Sequence, residues 1–377
     1  MTEASSTAAW EADERYMAAA LAIGRRGLGV TAPNPAVGTI LVRDGRIIGR
    51  GATQQGGRPH AETVALAEAG EAARGATAYV TLEPCSHHGV TGPCADALAR
   101  AGVTRVVSAI EDPDPRVAGR GHQILRDAGV EVLTGVCTEA ARRANLGHIL
   151  RVTEGRPMVT LKLAETSDGY AAAGSPHDPR LIITGMAANH RVQIMRAMHD
   201  AIMVGVGTVL GDDPLLTVRL PGLESRTPLR VVLDTHLRIP VRSRLVATAA
   251  ERPVLVIAGE GAPTAARRDL EARGVSVEIV DSDADGHIDL GAALGVLARG
   301  GLTRVFSEGG PTVAGRLIAA GLADDVFVLQ GARPLGRTGI ASLSESSRAI
   351  LHDPARYRAA RPSFAGVDHV SEFERVL

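Results

Sequence analysis

Two motifs between His60 and Cys94 set an imidazole, a carboxylate and two thiols in an order that suits a metal site: His60 and Glu62 in PHAETVALAEAG, then Cys85 and Cys94 in TLEPCSHHGVTGPC. No other stretch restricts the fold so strongly, because three of these groups can share a cation only if distant parts of the backbone converge. A catalytic Zn²⁺ takes three protein ligands and leaves its fourth position to water, whose pKa falls to about 7. His60, Cys85 and Cys94 are the candidate ligands for one Zn²⁺ per chain. Hydrolytic removal of a ring amino group also needs a carboxylate that is not a ligand, to take the water's proton and deliver it to the ring nitrogen and the departing ammonia. Glu62 is the candidate catalytic residue for that transfer.

Local patterns agree with this convergence. The segment 77–81 (TAYVT) reads as a buried strand that Glu83-Pro84 ends just before Cys85. Pro93 suits the first position of a helix running through Leu98, so Cys94 falls at a helix N-terminus, where the dipole favours thiolate. Residues two apart do not share a helix face. His60 and Glu62 therefore meet only if His60 sits at the cap or first turn of the helix over 61–69, which Pro59 permits. Taken singly, each residue has a plainer reading: H-x-E is common, a buried Cys behaves as a small hydrophobe, and Cys85 with Cys94 could form a disulfide. Only three Cys occur in 377 residues, and neither a signal peptide nor an apolar span is visible, which favours a metal site in a cytoplasmic chain. Cys137 has no partner motif and reads as an ordinary thiol.

The chain exceeds the usual single-domain size, and its metal motif is complete by Cys94, so two domains are expected. The net charge of −1 and 2% aromatic residues argue against nucleic acid, which needs concentrated Lys/Arg and stacking rings, and no segment suits a membrane. Residues 1–10 read as a disordered tail and 11–153 as the first domain. That domain shows a helix from about Glu11 to Arg25, a hairpin closed by Asp44-Gly45, the metal helices, and strands near 105–110 and 130–135. Such an order implies a three-layer α/β/α domain. Glu154-Gly155-Arg156-Pro157 reads as the linker. Over 157–377 a second alternation follows, with strands at 159–163, 201–206, 229–233, 254–258, 275–280, 304–306 and 325–330. Helices fall between them at 186–198, 290–299 and 312–320. Ser307-Glu308-Gly309-Gly310-Pro311-Thr312 places a Gly pair between strand and helix, a turn that can hold phosphate on backbone N–H groups.

Four motifs together, NPAVG at 34–38, PHAE at 59–62, ATAYVTLEPCSHHG at 76–89 and EDPDPRVAGRG at 111–121, resemble the bifunctional pyrimidine deaminase/reductase family of riboflavin biosynthesis. The gap of eight residues between Cys85 and Cys94 separates the chain from P-C-x-x-C deaminases. VTLKLAETSDG, AIMVGVGTVLGDDPLLTVRL, LRVVLDT and SEGGPTVAGRLIAAGLADD resemble the family's reductase half. The resemblance implies an α/β fold throughout, with a cytidine-deaminase-like first domain and a dihydrofolate-reductase-like second one. It implies two consecutive steps on a small-molecule pyrimidine ribosyl phosphate: hydrolytic deamination, then NADPH reduction of the ribosyl side chain to ribityl.

Carried over by motif, Ala164, Ile182, Thr208, Asp212, Thr235 and the run Gly310, Pro311, Thr312, Val313, Ala314, Gly315 and Arg316 would bind NADPH. Arg180, Arg196, Leu216, Arg219 and Glu308 would bind substrate, the two arginines Arg196 and Arg219 suiting its phosphate. The resemblance also implies a homo-oligomer. Three departures stand out. The family's S-x-D-G reads Thr166-Ser167-Asp168-Gly169, its S-x-W-I-T segment reads Arg180-Leu181-Ile182-Ile183-Thr184, and its G-R-T-P-P-C reads Gly89-Val90-Thr91-Gly92-Pro93-Cys94. The alternative is a deaminase whose second domain binds but does not reduce.

Overall fold

Asp44 (φ 51°) and Gly45 (φ 73°) close a two-residue turn that joins β1 (Gly38–Arg43) to β2 (Arg46–Ala52), because both positions accept the left-handed conformation such hairpins require. A computed structural model describes residues 3–87, 92–174, 178 and 181–377, with side chains from Thr7 onward. Around the hairpin lie β3 (Thr77–Val80), β4 (Arg105–Ser108) and β5 (Glu131–Thr134), giving a five-stranded sheet in the order β2-β1-β3-β4-β5. The hairpin pairs antiparallel with β3, while β3, β4 and β5 run parallel. Its helices are α1 (Glu3–Gly24), α2 (Ala61–Ala69), α3 (Cys94–Arg100), α4 (Arg120–Asp127), α5 (Thr138–Ala144) and α6 (Leu146–Thr153).

Glycines reveal how closely two of these helices press on the sheet. A Cβ on Gly38 would lie 1.9 Å from the Ala20 carbonyl of α1, and one on Gly51 would lie 1.9 Å from the Ala61 carbonyl of α2. Gly51 is opposite Thr39, the residue next to Gly38, and successive strand residues face opposite ways. The two helices therefore cover opposite faces, which makes the three layers. Gly51→Ala is expected to destabilise this unit by about 3 kcal/mol and to lower bound zinc, since it displaces the helix that begins beside His60. Thermal unfolding and metal analysis of the purified variant test this, and an unchanged zinc content would refute it.

The chain divides into two compact units, Met1–Gly155 and Arg156–Leu377. Arg156, placed in a linker by sequence, is instead buried in the second unit, where its guanidinium meets both oxygens of Asp324 at 2.8 Å. Its charge is needed there because Asp324 is fully buried. The tail expected over 1–10 also differs, since α1 begins at Glu3. The segment lacks Gly and Pro, and adding turns to an anchored helix is easy for Ala-rich sequence.

The second unit opens with β6 (Met158–Glu165), β7 (Tyr170–Ala172), α7 (Met186–Ala197), β8 (Ala201–Gly205), α8 (Val206–Asp212) and β9 (Leu229–Leu233). It continues with α9 (Arg244–Ala247), β10 (Val254–Gly259), α10 (Thr264–Glu271), β11 (Ser276–Val280), α11 (Leu290–Arg299), β12 (Arg304–Ser307), α12 (Pro311–Ala319) and β13 (Asp325–Gln330). The last elements are β14 (Ile340–Ala341), α13 (Glu345–Leu351), β15 (Tyr357–Ala359), β16 (Ser363–Ala365) and β17 (Asp368–Arg375). The main sheet follows β11-β10-β9-β8-β12-β6-β13-β17-β15, with β16 also on β17 and a separate β7–β14 pair. From β11 to β13 it is parallel, and β17 joins antiparallel. Every residue of β10 is buried, as expected for a parallel strand covered on both faces. The elements from β14 onward carry no motif and were not anticipated from sequence. Among the described residues no helix is long and apolar enough to cross a membrane.

Candidate functional site

In the first unit the carboxyl end of β3 and the N-termini of α2 and α3 converge. His60 caps α2 in an extended conformation (φ −70°, ψ 159°), so its ring and the side chain of Glu62, in the first helical turn, need not share a helix face. Cys94 is the first residue of α3, and its backbone N–H points at Cys85 Sγ, 3.3 Å away. The ligand atoms of His60, Cys85 and Cys94 lie within 4.8 Å of one another, with Nδ1 of His60 3.6 Å from Cys85 Sγ and 3.4 Å from Cys94 Sγ. Tetrahedral Zn²⁺, with bonds of about 2.0 Å to nitrogen and 2.3 Å to sulfur, would hold N and S about 3.5 Å apart. The donor set therefore fits zinc in identity and in spacing, and the three cysteines are free thiols.

The electrostatics point the same way. Two thiols so close cannot both ionise without a cation between them. The hydrogen bond from Cys94 leads in pulling the Cys85 thiol down to about 4, while the same contact drives Cys94 far up. Glu62 is buried, 4% exposed. Burial, helped by charge on Cys85, pushes its carboxyl up to about 7, the range in which a group can both take and return a proton at neutral pH.

Two supporting residues escaped the sequence analysis. The Asn34 amide nitrogen donates to the Gly57 carbonyl at 2.8 Å and lies 3.3 Å from His60 Nε2, steadying the ring from its far side. Asn34 belongs to the NPAVG motif, the only signal that could have found it. Glu83, two residues before Cys85, is buried and accepts four backbone N–H groups, from Asp112 and Gly119 on one oxygen and from Gly121 and His122 on the other. Glu83, Glu111 and His122 also form a metal-sized group, but those four donors already use the Glu83 lone pairs. Glu83 is a brace for the turn that presents Cys85. The departure at 89–91 lies outside the described residues.

In the second unit the carboxyl ends of parallel strands gather the motif residues, the usual location for ligands in such sheets. After β12, Gly309 makes a turn so tight that a Cβ would lie 2.7 Å from Val313 Cβ, and Gly310 leads into α12. A Cβ on Gly310 would lie 4.0 Å from Thr208 Oγ1, so the starts of α12 and α8 face each other across β8 and β12. Pro311, Thr312, Val313, Ala314 and Gly315 form the first turns of α12. Thr235 follows β9, with its carbonyl accepting Gly259 N–H at 3.1 Å, and Ala164 lies on β6 opposite Leu329.

Arg196 and Glu308 pair face to face: Nε to Oε1 is 2.6 Å and a second nitrogen to Oε2 is 3.0 Å, while a third N–H reaches the Thr217 carbonyl at 2.9 Å. Arg196 is 8% exposed. Its fork is thus engaged within the protein, whereas Arg219 is exposed. Burial alone would push the Glu308 carboxyl up, but the charges of Arg196, Lys162 and Arg219 bring it below its ordinary value. Lys162 and Gln193, whose Oε1 accepts Arg219 N–H at 2.7 Å, are further members that sequence alone did not single out. Leu216 is buried with φ 53°, which turns the chain between the Arg196 contact and α8. Three residues stand apart. Arg316 donates to Asp283 and to the Ile288 carbonyl, Asp212 is exposed at the end of α8, and Ile182 is 93% exposed. Arg180 lies outside the described residues.

Residues 157–352 match the family model for the RibD C-terminal domain, and residues 10–110 match that for the cytidine and deoxycytidylate deaminase zinc-binding region. The riboflavin biosynthesis protein RibD of Escherichia coli is 41% identical over 336 residues, covering 86% of this chain and 89% of its own. That of Aquifex aeolicus is 39% identical over 342 residues, covering 89% and 93%. Among solved structures, Acinetobacter baumannii RibD superposes with a TM-score of 0.85 at 34% identity, covering 98% of this chain and 100% of its own. A Thermotoga maritima diaminohydroxyphosphoribosylaminopyrimidine deaminase/5-amino-6-(5-phosphoribosylamino)uracil reductase gives 0.81 at 33% identity, covering 97% and 99%.

Proposed function

The chain belongs to the RibD family and is a bifunctional deaminase and reductase of riboflavin biosynthesis; from that premise we propose which residues carry each step and on what substrate. The substrate is the diaminopyrimidine ribosyl phosphate, deaminated in the first unit and then reduced at its ribosyl carbon in the second. The observation that carries this reading is the convergence of His60, Cys85 and Cys94 beside the buried Glu62.

His60, Cys85 and Cys94 hold one Zn²⁺, which when bound supplies a Lewis acid that lowers the pKa of water. Glu62 takes a proton from the attacking water, gives it to the ring nitrogen, and assists the departure of ammonia as the exocyclic C–N bond breaks and a ring carbonyl forms. In the second unit NADPH supplies the hydride. Backbone N–H groups of Gly310, Thr312 and Val313 and the Thr208 hydroxyl would bind its diphosphate, with Ala164 and Thr235 flanking; Pro311 offers no donor and instead starts the helix. Arg219 holds the substrate phosphate. Arg196 acts on substrate through Glu308, fixing the carboxylate that meets it, with Leu216 shaping the wall between them. Arg180, Ile182, Asp212 and Arg316 keep the ligand-binding roles that resemblance implies, although Arg316 must then leave Asp283. The enzyme is cytoplasmic and homo-oligomeric, and partners beyond its small-molecule substrate are not required.

Purified chain given the deaminated aminouracil ribosyl phosphate is expected to oxidise NADPH, and the diamino substrate is expected to yield ammonia. Chelation should abolish ammonia release, lower the unfolding temperature of the first unit, and leave NADPH oxidation intact, with added Zn²⁺ restoring the first two. Ammonia release without NADPH oxidation would leave the alternative of a second unit that binds but does not reduce. That alternative would need its own account of the Glu308 and Arg219 cluster.

A further inference from the structure

We propose that His236 and Arg238, on the turn after β9, form the subsite that distinguishes NADPH from NADH by binding the 2′-phosphate, an inference that rests on the dinucleotide-dependent reductase reading above. The sheet order β10-β9-β8-β12-β6 gives the cofactor a direction. Glu308 after β12, with Lys162 and Ala164 on β6, marks the reacting end. Gly310 and Thr208 mark the diphosphate between β12 and β8. The adenosine half must therefore run toward β9, which lies two strands from β12, about 10 Å at the usual strand spacing.

The turn after β9 is built to present side chains there. Asp234 is fully buried, and its Oδ2 accepts Ile239 N–H at 2.7 Å. Its carbonyl accepts Leu237 N–H at 3.1 Å, and the Thr235 carbonyl ties the turn to Gly259 of β10. Leu237, in the left-handed region, and Ile239 are buried, so the alternating residues His236 and Arg238 stand exposed on the other side. Neither of these side chains has a hydrogen-bond or ion-pair partner among the described residues. A guanidinium fork and an imidazole exposed on one short turn, next to Thr235 in sequence, suit a phosphate dianion. Other choices along this edge are poorer. Arg316 reaches a ligand only by giving up Asp283 at 2.6 Å, and the loop after β10 carries Glu260, which would repel phosphate.

The test is a fluorescence titration of NADPH and of NADH against the full chain and its variants. Wild type should bind NADPH more tightly, with a steeper loss of affinity in salt. Arg238→Ala should weaken NADPH about 10- to 100-fold and leave NADH within about twofold. His236→Ala should add to that loss, and Arg238→Glu should remove the preference altogether. Equal weakening of both cofactors, or an unchanged preference, would overturn the assignment. Wild type binding both equally would overturn it while leaving the reductase reading standing. Binding of neither would overturn both.

Discussion

Glu62→Gln is expected to cut ammonia release by about 10³- to 10⁴-fold in kcat, or about 4 to 5.5 kcal/mol of barrier, with zinc content and NADPH oxidation unchanged. Gln keeps the shape and a hydrogen-bonding oxygen but cannot accept the water's proton, and among the described residues no carboxylate that could take its place joins the metal-sized group of His60, Cys85 and Cys94. The change also removes an ionisable group that burial has already pushed up to about 7, so the fold should not suffer. Metal analysis and the two activities measured on one preparation decide the matter. A variant that retains more than a tenth of wild-type ammonia release would rule out Glu62 as the proton carrier, and one that loses zinc would make it a structural support of the site.

The second large effect is expected at the Arg196–Glu308 pair. Arg196→Met leaves the Glu308 carboxylate in place with its main partner gone, and breaking one side of a buried pair costs about 3–5 kcal/mol. Denaturant unfolding of the second unit should shift accordingly, and NADPH oxidation should disappear. Because Glu308 is itself proposed to meet the substrate, stability must be separated from catalysis. Arg196→Met with Glu308→Gln should regain part of the stability and none of the activity, since the buried charge is then removed without being replaced. A loss below about 1 kcal/mol in the single variant would mean that solvent reaches the pair and that Arg196 is not the group holding Glu308.

How much of this was legible beforehand differs sharply between the two halves. The candidate zinc ligands and Glu62 stood out because metal chemistry admits few residue types and the motif is local: a proline, a strand end and a helix start determine where each candidate ligand sits. The parallel strands were legible as apolar runs, since strands covered on both faces must be apolar throughout. The antiparallel edge formed by β15, β16 and β17 was not, because short strands with mixed polarity look like loop until they find a neighbour. Nor was the first helix legible back to Glu3, where the small polar residues are as compatible with coil as with helix.

By itself, the sequence determined the chemistry available to the protein: a His, Cys, Cys donor set with a free carboxylate, and a Gly-rich turn at a strand end. The tertiary structure alone decided which charges are free to act. Arg196 and Arg219 are equivalent as letters, yet one has its fork closed on Glu308, 112 residues away in sequence, and the other stays exposed. Arg316 and Arg238 divide in the same manner between Asp283 and open solvent. The physical reason is that an ion pair depends on distance and burial in space, and neither is encoded by position along the chain.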